Sequence, residues 1–416
     1  MKGTLLMLSL FVSQSLTLSQ GNSHCDDDNS IDNSSDGSCE TSFGTSIYEP
    51  DKYTKVSNPP LGNPPTDERS SQPPSESFGM TDFPCDVSES NSPIPESVHK
   101  LRPGDIKVIG ALGDSLTAAN GADASWILSV FFEYRGLSWS IGGDKKLDKI
   151  TTLPNMLKLY NEDLIGYSTG TGWLKRVKAR FNVAVRGSKS TDMVAQARKL
   201  IEEMKKVRGN EYVYDWKMVT LFVGGNDLCD WVNATKGIQP EEYKGNIKEA
   251  LDLLEREMPR TFVNLVQAPN VTQLAENTKK GCRVIRSMVC RSVIHGDRKK
   301  NLGDIIKKYR QELRSLVEDF YEDSDTFTVV VQPMFEEIIL PRLERSDRVD
   351  GSYFAPDCFH FSRKGHEAAA KALWNNLFEP LGEKTNNFDP KRGIPLKCPT
   401  EENPYICTRK NGRACN

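Results

Sequence analysis

A chain of 416 residues that is 37% hydrophobic can bury a substantial core, and its formal net charge of −3 gives no sign of a nucleic-acid binder. Ten cysteines, an even number, fit an oxidising compartment. No Cys-x-x-Cys pair occurs among them, so they do not read as a metal site.

The first elements in chain order are not those of a folded domain. Met1-Lys-Gly-Thr-Leu-Leu-Met-Leu-Ser-Leu-Phe-Val12 places a lysine ahead of a short apolar stretch, and Thr17-Leu-Ser19 supplies small residues for cleavage. Residues 1–19 therefore read as a secretory signal, too short to span a bilayer stably. Residues 20–98 are rich in Asp, Ser, Asn and Pro and carry the acidic excess, as in Cys25-Asp-Asp-Asp28. Such a segment cannot bury enough apolar surface to offset its ordering entropy and is expected to be flexible. The remainder is moderately basic, which favours anionic interfaces. Sequons at Asn33, Asn233 and Asn270 are N-glycosylation candidates.

From residue 99 the pattern alternates between strands and helices. Strand-like runs occur at 106–112, 181–185, 218–223, 262–266 and 327–331. Between them, Met193, Ala197, Leu200, Ile201 and Met204 recur at helical spacing behind Thr191-Asp192, an N-cap pair. Pro240-Glu-Glu opens another helix with Ile247, Leu251 and Leu254 as its stripe, and Ser362 can cap a last one bearing Ala368, Ala369, Leu373 and Leu377. Alternation of this kind predicts a parallel sheet covered on both faces, with ligands bound beyond the carboxyl ends of its strands. Residues 99–390 form this domain, and 391–416 read as a cysteine-containing tail.

The chemistry sits at the strand exits. The run 106–112 leads into Gly113-Asp-Ser-Leu116, which puts Ser115 at the mouth of the sheet. A serine hydroxyl needs a base and an oxyanion-binding cluster before it can attack a carbonyl. Asp357-Cys-Phe-His360 offers the base, with Asp357 orienting one ring nitrogen while the other faces Ser115. Oxyanion donors would be the backbone amides of Ser115 and Gly187 and the side-chain amide of Asn226. His366 is a rival base, disfavoured by its place inside a helix. Asp114 and Asp227 support the site or cap neighbouring helices, Trp126 and Trp139 line an acyl pocket or belong to the core, and the insertion 137–171 is expected to form part of the substrate wall. Cys282 and Cys290 are plausible disulfide partners.

Four stretches carry a resemblance: Ala111-Leu-Gly-Asp-Ser-Leu-Thr-Ala-Ala-Asn-Gly121, Tyr134-Arg-Gly-Leu-Ser-Trp-Ser-Ile-Gly-Gly143, Thr220-Leu-Phe-Val-Gly-Gly-Asn-Asp-Leu-Cys-Asp230 and Phe354-Ala-Pro-Asp-Cys-Phe-His-Phe-Ser362. They resemble the GDSL or SGNH hydrolases, and within these the membrane-associated phospholipase B family, over residues of about 99 to 400. The resemblance implies a three-layer α/β/α, flavodoxin-like SGNH-hydrolase fold with a central parallel sheet of about five strands. It also implies a secreted serine esterase of phospholipids and lysophospholipids that meets a membrane or micelle surface transiently and needs no metal or organic cofactor. Family members often carry tandem catalytic repeats and a C-terminal anchor. Here the GDSL block occurs once and residues 398–416 are polar, so a product without a transmembrane anchor is expected. Two rival readings are an esterase of short-chain or carbohydrate esters and a non-catalytic lipid-binding module; the latter would not need Ser, Gly, Asn, Asp and His in this arrangement.

Overall fold

Four runs dominated by Val, Ile, Leu and Phe form parallel strands: β1 (Ile106–Gly113), β2 (Trp216–Phe222), β3 (Thr261–Val266) and β4 (Phe327–Gln332), in the spatial order β1-β2-β3-β4. Strands covered on both faces read as near-continuous apolar sequence because neither side meets water. The computed structural model describes residues 79–412 apart from 88–92, 173–176, 232–236, 277–281, 283–289, 294–295 and 322–323. The expected signal segment 1–19, Asn33, Asn233, Cys25, Cys39 and Cys415 lie outside the described residues.

The strand register keeps the carboxyl ends level: Gly113 lies beside Phe222, Phe222 beside Val266, and Val266 beside Gln332. Every loop leaving these ends therefore opens on one edge. The helices are α1 (Leu153–Leu157), α2 (Met193–Arg208), α3 (Gly225–Asp230), α4 (Pro240–Glu257), α5 (Gly296–Phe320) and α6 (Arg363–Leu377). Side chains alternate between the faces of a strand, and the core divides accordingly. Val108, Leu112, Val219, Leu221 and Val263 pack against Leu200 of α2, Ile247 and Leu251 of α4 and Leu313 of α5. Ile109, Ala111, Met218, Phe222 and Val330 pack against Met156 of α1 and Leu373, Trp374 and Leu377 of α6. The result is a three-layer α/β/α sandwich.

The strand-like run 181–185 does not form a regular strand. It lies parallel to β1 through a single bridge between Ala111 and Asn182, with Ala111 N donating to Phe181 O, Val183 N to Ala111 O and Val185 N to Gly113 O. It thus occupies the fifth position of the sheet in irregular form. Asn182 competes with the ladder through its side chain: Oδ1 accepts from Ala184 N and Nδ2 donates to Thr117 O. Helix starts follow the sequence reading at Pro240, which is the first residue of α4, and at Ser362, whose hydroxyl accepts from Gly365 N. The Thr191-Asp192 cap differs. A single 3₁₀ turn precedes α2, and the Asp192 carboxylate accepts from Lys189 N instead of capping the α-helix.

Both expected domain edges move outward. Cys85 is bonded to Cys398, Met80 N donates to Leu147 O, and Met80 and Phe83 pack on the core, so the folded unit begins well before residue 99. The segment expected as a tail is likewise anchored: Ile394, Leu396 and Ile406 join the core, and Ile406 N donates to Leu101 O. The composition of 20–98 masks these few apolar anchors. The expected pairing of Cys282 with Cys290 is also corrected, since Cys229 bonds Cys290 and Cys282 bonds Cys358. Nearness in sequence says little about which cysteines a loop brings together. Among the described residues no helix is long and apolar enough to cross a membrane.

Candidate active site

Gly113 ends β1 where a side chain would not fit: a Cβ there would lie 2.4 Å from the Phe222 carbonyl oxygen and 2.6 Å from Thr117 Oγ1. The chain can turn this closely only with glycine. Asp114 then accepts from Leu116 N through Oδ1 at 2.9 Å, an Asx turn that fixes the intervening Ser115. Burial pushes the Asp114 carboxyl up to about 6, against the opposing effects of the Leu116 amide and the nearby His360.

The partner loop, 354–361, is closed by a bridge between Phe354 and Phe361 and by Ala355 N donating to His360 O at 2.8 Å. Within it Asp357 Oδ1 accepts from Phe359 N and His360 N, each at 3.0 Å, while Oδ2 lies 2.5 Å from His360 Nδ1. The other ring nitrogen, Nε2, is 2.8 Å from Ser115 Oγ. All three residues are buried, between 4% and 8% exposed. Burial alone would raise the Asp357 carboxyl. The imidazole beside it and the hydrogen bonds from His360 and the two amides outweigh burial and hold it below its ordinary value. The sequence-predicted serine, histidine and aspartate thus form one hydrogen-bonded chain from residues 245 positions apart.

The expected oxyanion donors come from two further loops. Asn226 sits at the start of α3, its Nδ2 donating to Ser188 O at 2.9 Å and lying 3.5 Å from Asp114 Oδ2. Gly187 takes a left-handed φ of +80° and is exposed. Asn226 therefore ties the Gly187-Ser188 turn to the serine turn. Asp227 faces away, accepting from Ser190 N and Oγ.

Beside Ser115 a cleft of about 600 Å³, counted out to solvent, runs between Leu116, Val271, Ile338, Leu340, Phe354 and Phe361. Its lining is mostly apolar and takes in Ser115, Asp114 and Asn226. Such a space suits an acyl chain. Asn270 also lines it, with Oδ1 accepting from Thr272 N and Oγ1 of its own sequon.

Residues 109–373 match the family model described as GDSL-like Lipase/Acylhydrolase. The chain belongs to this GDSL-like lipase/acylhydrolase family. It is 44% identical over 342 residues to "Phospholipase B1, membrane-associated" of Rattus norvegicus, 45% over 349 residues to the protein of that name from Mus musculus and 43% over 338 residues to that from Homo sapiens. These alignments take in 80%, 81% and 79% of this chain but only 24%, 23% and 23% of the relatives, so the chain spans about a quarter of the length of the curated relatives it matches.

Within this GDSL-like domain, other sequence-predicted residues fall away from the cleft. The insertion 137–171 packs behind the sheet through Trp139, Leu153 and Met156 and supplies none of the cleft lining. Trp139 is core, set edge-on against Phe222 and Phe335, whereas Trp126 is 54% exposed and outside the cleft. The walls that do form, at 269–273, 338–340 and 354–361, come from loops far apart in the chain. Only the strand-exit rule points to where they converge.

His366 lies inside α6, fully enclosed, with Nδ1 accepting from Trp139 N. Burial, aided by the charge of His360, lowers its pKa to about 3 from 6.5, so it stays neutral in the folded protein. A histidine depressed in this way lends stability in full above its unfolded pKa and loses it as pH falls toward 3. The expected result is a stability loss from this group of about 2 kcal/mol at pH 5 relative to pH 7. Urea unfolding at the two pH values should show this difference in the wild type and a smaller one in His366→Gln; equal pH dependence in both proteins would exclude His366 as its source.

Proposed function

We propose that this chain is a secreted serine esterase that hydrolyses the acyl ester bonds of phospholipids and lysophospholipids. The reading is carried by one observation, the hydrogen-bonded chain from Asp357 through His360 to Ser115, which lines a largely apolar cleft. As Ser115 Oγ attacks the acyl carbonyl, its proton passes to His360 Nε2 and a tetrahedral oxyanion forms. The backbone amides of Ser115 and Gly187 and the Asn226 amide would receive that charge. Collapse of the intermediate breaks the bond to the alcohol oxygen, which takes the proton from His360, and leaves an acyl-serine. Water, deprotonated by His360, then attacks the acyl carbon; the serine oxygen departs with the returned proton and the fatty acid is released.

The lipid substrate is supported by the name of the relatives and by the apolar walls, which offer a sugar few hydrogen-bond partners. The Cys85–Cys398, Cys229–Cys290 and Cys282–Cys358 disulfides and the candidate sequons fit an extracellular setting. Purified protein assayed against long-chain lysophospholipids, diacyl phospholipids and short-chain acetyl esters tests the reading. The highest kcat/KM is expected on the long-chain lipids; a preference for acetyl esters would favour the short-chain reading, and binding without turnover would favour the lipid-binding module. Asn226→Ala is expected to lower kcat by about 10²- to 10³-fold with little change in KM, because its donor matters where the oxyanion develops. Unchanged turnover would reduce Asn226 to a loop-holding residue.

A further inference from the structure

The Tyr134-Arg-Gly-Leu-Ser-Trp-Ser stretch takes no direct part in the chemistry above, yet its arginine is entirely enclosed. Arg135 is 0% exposed and pairs with Glu133, itself 4% exposed, through Nη2 at 2.8 Å and Nε at 2.9 Å. Burying two charges this deeply carries a desolvation cost that a simple packing role does not require. The guanidinium has further partners: Nη1 donates to Asn182 O at 2.9 Å and Nη2 to Ala184 O at 2.8 Å.

These two carbonyls belong to the irregular edge segment 181–185. That segment offers Phe181 O, Val183 N and Val185 N to β1. Groups on the same side of an extended chain recur every second residue, so the carbonyls of 182 and 184 point to the opposite side. The Arg135 fork stands where the next strand would stand and satisfies the edge it would have paired. Ala184 lies three residues before Gly187.

The same assembly reaches the serine turn. Asn182 Nδ2 and Ser138 Oγ both donate to Thr117 O, at 3.1 and 2.7 Å, and Thr117 lies two residues after Ser115. Resting on the serine-esterase reading, we propose that Arg135 is a positioning residue that clamps the Gly187 loop against the Ser115 turn and so sets the spacing of the backbone oxyanion donors. The planar fork is what the site uses. A lysine would keep the charge but could not hold two carbonyls in one fixed plane.

The test separates positioning from the stability of the ion pair. Wild type, Arg135→Lys and Glu133→Gln are compared for kcat and KM on a soluble ester, for the rate of Ser115 labelling by a fluorophosphonate and for thermal midpoint. Rates are expressed per folded molecule. Arg135→Lys is expected to lose about 10²-fold in kcat, as a small misplacement of reacting groups can. Its labelling rate should fall in parallel, with KM within about threefold. Glu133→Gln is expected to lower the midpoint yet keep kcat within about threefold of wild type. Folded Arg135→Lys with wild-type kcat overturns the clamp, as does a kcat loss in Glu133→Gln as large as that in Arg135→Lys. Should Arg135→Lys not fold, Ser138→Ala removes the shorter of the two ties to Thr117 O and is expected to lower kcat about tenfold at a near-normal midpoint; unchanged kcat there overturns the clamp. A wild type that the fluorophosphonate does not label at Ser115 overturns the nucleophile reading itself, and the clamp with it, whereas a labelled wild type confines any failure to the clamp.

Discussion

Ser115→Ala is expected to lower ester hydrolysis by about 10⁶-fold, the scale on which loss of a serine nucleophile acts, while the fold survives. The change removes one oxygen from a turn held by other atoms: the Asp114 carboxylate on Leu116 N, Asn120 N donating to Ser115 O, and the glycine at 113. The apolar walls of the cleft are untouched, so lipid binding should persist. Initial rates on a fluorogenic ester, with a thermal melt on the same sample, check both halves of this expectation. Substantial turnover in the alanine variant would move the nucleophile elsewhere.

Asp357→Asn is expected to cost about 10⁴-fold in kcat, although the new side chain is almost the same shape. Asp357 Oδ1 already accepts from Phe359 N and His360 N, and an asparagine can keep its oxygen there. Its amide nitrogen then takes the place of Oδ2 and donates to His360 Nδ1. The ring must answer with the opposite tautomer, placing its remaining proton on Nε2, where it faces Ser115 as a donor. A base with no lone pair toward its nucleophile cannot accept the proton. Steady-state kinetics of the variant, alongside His366→Gln as a histidine change outside the relay, checks the prediction; comparable losses in the two would discard the assignment of His360 as base.

The geometry of the candidate site was legible where its residues are local in the chain. Gly113-Asp-Ser-Leu116 follows a strand and Asp357 and His360 share one loop, so residue type and spacing were enough to predict their meeting. Asn226 was legible for the same reason, at the exit of β2. The walls of the cleft were not, because Val271, the Ile338–Leu340 segment and Phe354 come from separate parts of the chain with no common periodicity. Cysteine pairing escaped for the same reason. Cys282 and Cys290 sit eight residues apart, yet one is bonded to the His360 loop and the other to α3. The edge segment 181–185 has strand-like composition, but its outer carbonyls are claimed by Arg135, a partner almost fifty residues earlier that no local pattern announces. The mistaken boundary at residue 99 has a similar source: a few anchors, Met80, Phe83 and Cys85, lie within otherwise polar sequence.

The strand order has a consequence for how the chain is made. β1 to β4 are synthesised in the order in which they pair, so the sheet can grow outward from one edge as it emerges, each strand meeting a neighbour already in place. The layer over Ile109, Met218 and Phe262 cannot be completed in this way, because Leu373, Trp374 and Leu377 of α6 follow all four strands. Until α6 arrives, the growing chain carries a finished hydrogen-bonded sheet with one greasy side open, and Cys85 waits for a partner 313 residues downstream. A product truncated before α6 would therefore present a sticky surface to chaperones and degradation machinery, so partial copies of this domain are conspicuous to quality control.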